Sequence, residues 1–229
     1  MKTQILASLL ILVGGVAAAD TIAVIGTGDV AHALGIEFAA QGHTIVYGSR
    51  NPDRDSVRDL VVETGHGATA TTQLKSVVGA DIVVLAVPGL LAEEITLSLG
   101  DLSGKIIIDP TNPLVREGNS LVHGVESSNG EIIQAAAPDA DVVKAFNALN
   151  WKTMMDPDEA GGPVSIPLAG NSESAKRKVA ELVQGMDLDP IDLGGIENSH
   201  WIEGMLILWI NNRYFSDRDS FDFYLRRTR

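Results

Sequence analysis

The sequence predicts an α/β fold built on a doubly wound, mainly parallel sheet. Short apolar runs alternate with stretches of helical periodicity, several of these runs are continuously apolar, and a glycine-rich turn follows the first of them. Strands that alternate with helices in this way form parallel sheets covered by helices on both faces. A chain of 229 residues with 45% hydrophobic residues can supply the core of such a fold.

The predicted strands are aliphatic runs that end at glycine, proline or polar residues. They cover residues 21–26, 43–48, 81–88, 105–113, 141–147 and 163–170. Apolar residues spaced three or four apart predict helices over 30–42, 53–64, 90–99 and 172–186, with Ser172 as the N-cap of the last. A C-terminal helix over 197–215 is expected to place Met205, Trp209 and Tyr214 in the core or at an interface with a second subunit.

The first 19 residues have the pattern of a secretory signal peptide. A lysine at position 2 is followed by an apolar run and by Ala17-Ala18-Ala19. We expect this leader to be removed on export, with no stable membrane insertion afterwards. Residues 20–229 then form a single nucleotide-binding domain with a C-terminal helical segment over 196–229. The alternative is that the first residues pack on the domain as a helix or strand.

Composition excludes several classes of function. The net charge of −13 disfavours a nucleic-acid partner, because phosphate contacts need clustered Lys and Arg. The chain has no cysteine, which excludes disulfides, thiol nucleophiles and cysteine metal sites. The five histidines show no ligand spacing, so we expect no metal site.

The turn after the first strand predicts a dinucleotide-binding, Rossmann-type domain. It reads Gly26-x-Gly28-x-x-Ala31, with Gly35 four residues further on. The first glycine permits a tight turn, and the second lets a pyrophosphate approach the backbone. Ala31 and Gly35 allow the helix to lie close to the strand. The helix N-terminus then offers free N–H groups to the phosphates.

The end of the second predicted strand selects the nucleotide. An acidic residue at this point binds the ribose hydroxyls of NAD, but the sequence has Ser49 and Arg50, followed by Arg54. A guanidinium pairs bidentately with a phosphate. The pattern therefore predicts NADP(H) over NAD(H). The alternative is a surface arginine in an ordinary turn.

Several stretches in a fixed order carry a family resemblance: IGTGDVAHALG, YGSRNPDR, VVLAVP, IIIDPTNPL and VVKAFNALN. The chain resembles the NADPH-dependent reductases of the deazaflavin coenzyme F420. It is also similar to the NADPH-binding domain of the six-transmembrane ferric and cupric reductases of animals. The resemblance covers nearly everything after residue 20.

The resemblance implies a set of cofactor-binding residues. The pyrophosphate loop would be Gly26, Thr27, Gly28, Asp29 and Val30, and the clamp on the 2′-phosphate would be Ser49, Arg50 and Arg54. The nicotinamide end would be formed by Ala86, Val87, Pro88, Asn112, Pro113, Ala145, Phe146 and Asn147.

The resemblance implies hydride transfer between NADPH and a small-molecule acceptor, either coenzyme F420 or FMN/FAD. This chemistry needs no catalytic acid or base from the protein, and none is predicted; Asp109 and Lys144 are expected to make structural ion pairs. One alternative is a non-catalytic NADP(H) sensor. A less favoured one is an imine or 2-hydroxyacid dehydrogenase, because little chain remains for the helical domain of those enzymes.

The leader and the resemblance predict different locations. The leader indicates export to the periplasm or the medium, whereas the family is usually cytoplasmic, where NADPH is available. A homodimer built on the 197–215 helix is a further expectation, motivated by the apolar width of that helix.

Overall fold

The computed structural model describes residues 19–219, 221 and 223–228. The predicted leader, apart from Ala19, lies outside the described residues. The strands of the described part are β1 (Thr21–Ile25), β2 (Thr44–Ser49), β3 (Thr69–Thr72), β4 (Ile82–Leu85), β5 (Ile106–Asp109), β6 (Leu114–Glu117), β7 (Ser120–His123), β8 (Asp141–Lys144), β9 (Ser165–Gly170) and β10 (Asp189–Asp192). Its helices are α1 (Asp29–Ala40), α2 (Asp55–Thr64), α3 (Gln73–Ser76), α4 (Ala92–Ser98), α5 (Asn129–Ala136), α6 (Trp151–Met155), α7 (Glu173–Gln184) and α8 (Ser199–Phe215).

The central sheet confirms the predicted fold class. Its order is β10-β9-β8-β5-β4-β1-β2-β3. Six neighbouring strands of this sheet pair in parallel: β8, β5, β4, β1, β2 and β3. Strand β9 joins β8 antiparallel. The chain reverses its direction of winding between β1 and β4, and ligands bind at the carboxyl ends of strands at such a switch point.

Helices cover both faces of the sheet, as the continuous apolar strands predict. In β1, Ile22 and Val24 face one core and Ala23 and Ile25 face the other. All four side chains are fully buried. Because successive strand residues point to opposite faces, a strand buried on both sides must be apolar throughout.

Several elements differ from the sequence-based expectation. The strand predicted over 105–113 ends at Asp109, and the helix predicted over 90–99 begins at Ala92 because a 3-10 turn spans Gly89–Leu91. The strands β3, β6, β7 and β10 and the helices α3, α5 and α6 were not predicted. β3 has the sequence TATT and no buried residue, so it lacks the apolar run that identified the others.

The C-terminal helix α8 packs against the β6–β7 hairpin. The amide of Asn211 pairs with both backbone groups of Leu121, each at 2.7 Å. Met205 is half-buried, whereas Tyr214 is 61% exposed and is not a core residue, which leaves the interface as its predicted place. The interface with a second subunit stays a prediction. Among the described residues, no helix is both long enough and apolar enough to cross a membrane.

Candidate dinucleotide site

The turn between β1 and α1 has the geometry that the glycine pattern predicts. Gly26 has φ +115°, and a Cβ there would lie 2.1 Å from the carbonyl oxygen of Ala86. Only glycine fits both constraints. Gly28 is the N-cap of α1, and a Cβ built on it would have no atom within 4 Å. The backbone is therefore open to a ligand at the N-terminus of a 12-residue helix, where free N–H groups favour an anion.

Two arginines lie beside this turn. Ser49 ends β2, is buried, and its Oγ accepts a hydrogen bond from the backbone N–H of Asn51 at 3.1 Å. Arg50 follows and is exposed. Arg54 is the N-cap of α2, and its Nη2 donates to Thr27 Oγ1 at 3.1 Å. The sequence therefore places both cations next to the phosphate loop.

A cleft of about 790 Å³ opens between the phosphate loop and the ends of β2 and β4. Most of the residues predicted for the loop, the clamp and the end of β4 line it: Gly26, Thr27, Gly28, Ser49, Arg50, Arg54, Ala86, Val87 and Pro88. Its far wall is formed by residues that the sequence did not single out: Gln73, Leu91, Glu94, Ile95 and Ser98. A cleft of this size, lined by two arginines and by apolar side chains such as Val87, Leu91 and Ile95, suits a nucleotide.

A second hollow of about 310 Å³ lies on the other side of the helix N-terminus. It shares Gly28, Ala86 and Val87 with the cleft. Its remaining walls are Asp29, Val30, Leu85, Pro110 and Trp151. Trp151 was not predicted as a site residue. Its only signal was its position four residues after Asn147, at the start of a helix that the sequence did not reveal.

Five of the predicted nicotinamide residues line neither cavity. Pro113, Ala145, Phe146 and Asn147 are buried, and Asn112 is half-buried. Asn112 and Asn147 bond to each other: Asn147 Nδ2 donates to Asn112 Oδ1 at 2.9 Å, and Asn112 Nδ2 donates to the Asn147 carbonyl at 3.1 Å. These residues hold the ends of β5 and β8 together.

The residue before Asn147 has a strained backbone. Phe146 has φ +63° and is 2% exposed. A bulky residue in the left-handed region costs roughly 1–3 kcal/mol and persists only where its surroundings fix it. Phe146 packs edge-on against Phe38 of α1, with ring centroids 6.0 Å apart.

A buried ionic network adjoins the hollow through Asp109, the residue before Pro110. Lys144 Nζ is 2.9 Å from Asp109 Oδ2 and 2.6 Å from Glu203 Oε1, and all three side chains are fully buried. The expected structural ion pair between Asp109 and Lys144 is therefore present. Glu203 was missed, because a single glutamate in the apolar sequence of α8 gives no sign of its partners.

The residues of this site fit the phosphate groups of a dinucleotide. Two guanidinium groups line the cleft, and the open backbone at Gly28 borders both cavities. Asn147 Oδ1 is buried and accepts no hydrogen bond from any described residue. Within the described ranges, no cluster of His, Cys, Asp and Glu could hold a metal ion.

Comparisons with known proteins support an NADP-dependent oxidoreductase. The family model for NADP oxidoreductase coenzyme F420-dependent matches residues 21–113. The F420-dependent NADP reductase of Methanothermobacter thermautotrophicus is 31% identical over 207 residues, which cover 83% of this chain and 88% of that protein. The crystal structure of an Arthrobacter sp. FB24 protein, proposed to be an F420-dependent NADP reductase, has a TM-score of 0.78 at 32% identity. The matched region covers 84% of this chain and 93% of the Arthrobacter chain.

A second group of relatives is much longer. The human metalloreductase STEAP2 is 32% identical over 191 residues, which cover 81% of this chain. The chain spans only 35% of that protein's length. The similarity therefore concerns one part of the metalloreductases.

Proposed function

Since the chain belongs to the family of NADP oxidoreductases of the coenzyme F420-dependent type, we propose that it transfers a hydride between NADP(H) and a deazaflavin such as coenzyme F420, or a flavin. The observation that carries this proposal is the pair Arg50 and Arg54 on the rim of a cleft that begins at an open helix N-terminus. The F420-dependent reductase among its relatives supports the choice of acceptor.

The division of the site into two cavities gives each half of the nucleotide a place. The large cleft, with Ser49 and the two arginines, takes the adenosine and its 2′-phosphate. Gly28 meets the pyrophosphate. The smaller hollow beyond Gly28, lined by Val30, Pro110 and Trp151, takes the nicotinamide.

The protein's contribution is to bind and orient two rings. The nicotinamide supplies the hydride from C4, the acceptor ring receives it, and solvent supplies the proton that completes its reduction. The apolar walls at Val30, Val87 and Pro110 exclude water from the meeting point. No acid–base side chain is required.

Turnover with a panel of acceptors tests the proposal. Purified protein is mixed with NADPH or NADH, and with coenzyme F420, FMN or FAD, and the oxidation of the nicotinamide is followed. We expect oxidation of NADPH with at least one of these acceptors and much slower oxidation of NADH. Tight NADPH binding without turnover of any acceptor would instead indicate a binding module.

Export of the chain is a separate proposal that rests on residues 1–19 alone. Mass spectrometry of the N-terminus of the native protein tests it. We expect a mature chain that begins at Asp20; an intact Met1 would contradict the proposal.

A further inference from the structure

The buried network of Asp109, Lys144 and Glu203 has an excess of negative charge unless a fourth group balances it. Asp109 and Glu203 carry two carboxylates and Lys144 one ammonium, which leaves a net charge of −1 among three fully buried side chains. An unbalanced buried charge is strongly unfavourable, because it has lost its hydration without gaining a partner. The fourth group in contact is His123, at the end of β7.

Both nitrogens of the His123 ring face oxygen acceptors. Nδ1 lies 2.7 Å from the carbonyl oxygen of Val125, and Nε2 lies 2.7 Å from Glu203 Oε2. A carbonyl oxygen only accepts, so Nδ1 carries a hydrogen. The contact between Nε2 and Oε2 then also requires a proton, on the ring or on the carboxyl group. This shared proton brings the network of Asp109, Lys144, Glu203 and His123 to neutrality.

The network is tied to one wall of the hollow, at Pro110, and to the wall of the large cleft near Pro88. Pro110 lines the hollow between Asp109 and Thr111, and the Thr111 carbonyl accepts from Lys144 Nζ at 2.5 Å. Asn129 Nδ2 donates to the carbonyl of Gly89, the neighbour of Pro88, at 2.9 Å. The backbone N–H of Asn129 in turn donates to Glu203 Oε1 at 3.0 Å.

A third tie runs through α8 itself. Asn147 Nδ2 lies 3.3 Å from the carbonyl oxygen of Ile202, the residue before Glu203. The position of Glu203 is therefore linked to the ends of β5 and β8 and to the loop after β4. These are the segments that surround the nicotinamide end in the function proposed above.

We propose that Glu203 is a positioning residue for the nicotinamide end of the site, and that it acts through the proton it shares with His123. With the proton present, the network is neutral and holds Pro110 and Pro88 in place. When the proton is lost, Glu203 faces an unprotonated ring nitrogen across 2.7 Å, and the hollow loses its fit for the ring. The inference rests on the proposed assignment of the hollow to the nicotinamide.

The other charged groups near His123 have separate partners. The His200 ring lies 4.8 Å from the His123 ring, centroid to centroid, and its Nδ1 is 2.8 Å from the Ser127 carbonyl oxygen. Glu126 on the adjoining loop is exposed. On α5, Glu131 accepts from Ser128 at 2.7 Å, and on β6, Arg116 lies over the ring of Phe215.

The test compares two nucleotides across a range of pH. The dissociation constants of NADP⁺ and of 2′-phospho-ADP-ribose, which lacks only the nicotinamide, are measured between about pH 6 and pH 9. Both ligands carry the same 2′-phosphate, whose own titration near pH 6 cancels in the ratio of the two constants. The ratio therefore reports the nicotinamide end alone.

In the wild type, we expect the affinity advantage of NADP⁺ over the truncated nucleotide to fall about tenfold as pH rises, equivalent to the loss of one charged hydrogen bond. His123→Gln and Glu203→Gln should each remove this pH dependence, because neither variant keeps a proton shared between an imidazole and a carboxylate. His200→Gln is the matched control and should keep the wild-type profile, since His200 does not contact Glu203. Circular dichroism checks that each variant is folded.

A ratio that is constant with pH in the wild type would overturn the inference, as would an unchanged profile in His123→Gln or Glu203→Gln. An altered profile in His200→Gln would show that the proton belongs to His200 and not to His123, which would also overturn the inference. If the wild type binds neither nucleotide, the proposed function fails as well. If it binds both but reduces no acceptor, only the proposed reaction fails.

Discussion

Gly35 shows how a single hydrogen atom sets the spacing between α1 and β2. A Cβ at this position would lie 1.9 Å from the hydroxyl oxygen of Tyr47. That hydroxyl is buried, and it is 2.8 Å from Thr64 Oγ1 in α2. Burial raises the pKa of Tyr47 to about 12, so the phenol stays protonated and keeps this contact over the ordinary pH range. The helix that carries the phosphate loop can approach the sheet only because residue 35 is glycine.

Replacing Gly35 by alanine is expected to lower the free energy of unfolding by about 1–3 kcal/mol, because the added methyl group must displace Tyr47 from a packed core. Gly204→Ala is the matched control. A Cβ at Gly204 in α8 has no atom within 4 Å, so alanine there should raise stability by about 0.5–1 kcal/mol. Urea denaturation measures both changes. Equal effects at the two sites would contradict the packing argument.

The sequence predicts the phosphate loop and the arginines because their roles depend on spacing along the chain. Gly26, Gly28 and Arg50 are recognisable from their positions relative to β1 and β2. Glu203 and Trp151 are not, because their surroundings are assembled from distant segments. Glu203 gains its function from contacts to β7 and β8, which the sequence alone does not bring together.

At the scale of elements, helix α5 begins with a capping box that went unrecognised. Ser128 Oγ accepts from the backbone N–H of Glu131 at 3.1 Å and donates to its carboxylate at 2.7 Å. The helix is short, and its apolar residues are too few to show helical periodicity. By contrast, α7 was predicted with its N-cap, and Ser172 Oγ does accept from the backbone N–H of Ala175.

Ser128→Ala is expected to lower the free energy of unfolding by about 1 kcal/mol, since it leaves the N–H of Glu131 without its acceptor. Ser127→Ala, which changes the neighbouring hydroxyl outside the cap, serves as the control and should have a smaller effect. Thermal or urea unfolding of both variants gives the comparison. A loss at Ser127 as large as at Ser128 would argue against the cap.

The elements that the sequence missed share a physical cause. The strands of the central parallel sheet are apolar on both faces and stand out in any window. The β6–β7 hairpin lies outside that sheet and is half-buried, so its sequence shows no strong hydrophobic pattern. Its strands are held in place by contact with α8. Tertiary packing, rather than local preference, selects the strand conformation there.

At the scale of the whole molecule, Lys144 joins three elements that are far apart in sequence. It lies in β8 and bonds to Asp109 in β5 and to Glu203 in α8. The C-terminal helix is thereby anchored to the centre of the sheet through charge as well as through apolar contacts. Such a network is stable only as a complete set, because removing one partner leaves the others buried and unpaired.

Lys144→Met is therefore expected to lower the free energy of unfolding by about 3–5 kcal/mol. Lys178→Met is the control. Lys178 pairs with Asp20 at 2.7 Å but is partly exposed, so its loss should lower stability by less than about 1 kcal/mol. Urea denaturation at neutral pH distinguishes the two. A small effect at Lys144 would show that the buried network contributes little to the fold.

The overall charge of the molecule makes the two arginines more informative. The chain carries a net charge of −13, which repels a polyanionic nucleotide at long range. Arg50 and Arg54 supply local positive charge against this background, at the rim where the 2′-phosphate is expected. Selection of NADP(H) over NAD(H) by these two residues is the central claim of the account.

The most direct test measures the dissociation constants of NADPH and NADH for the wild type and for Arg50→Glu. The control is Arg58→Glu, because Arg58 is exposed on α2, pairs with Asp55 and does not line the cleft. We expect Arg50→Glu to weaken NADPH binding by a factor of about 10–100, the value of a charged hydrogen bond, while NADH binding changes little. Unchanged NADPH affinity in Arg50→Glu, or an equal loss for both nucleotides, would contradict the account.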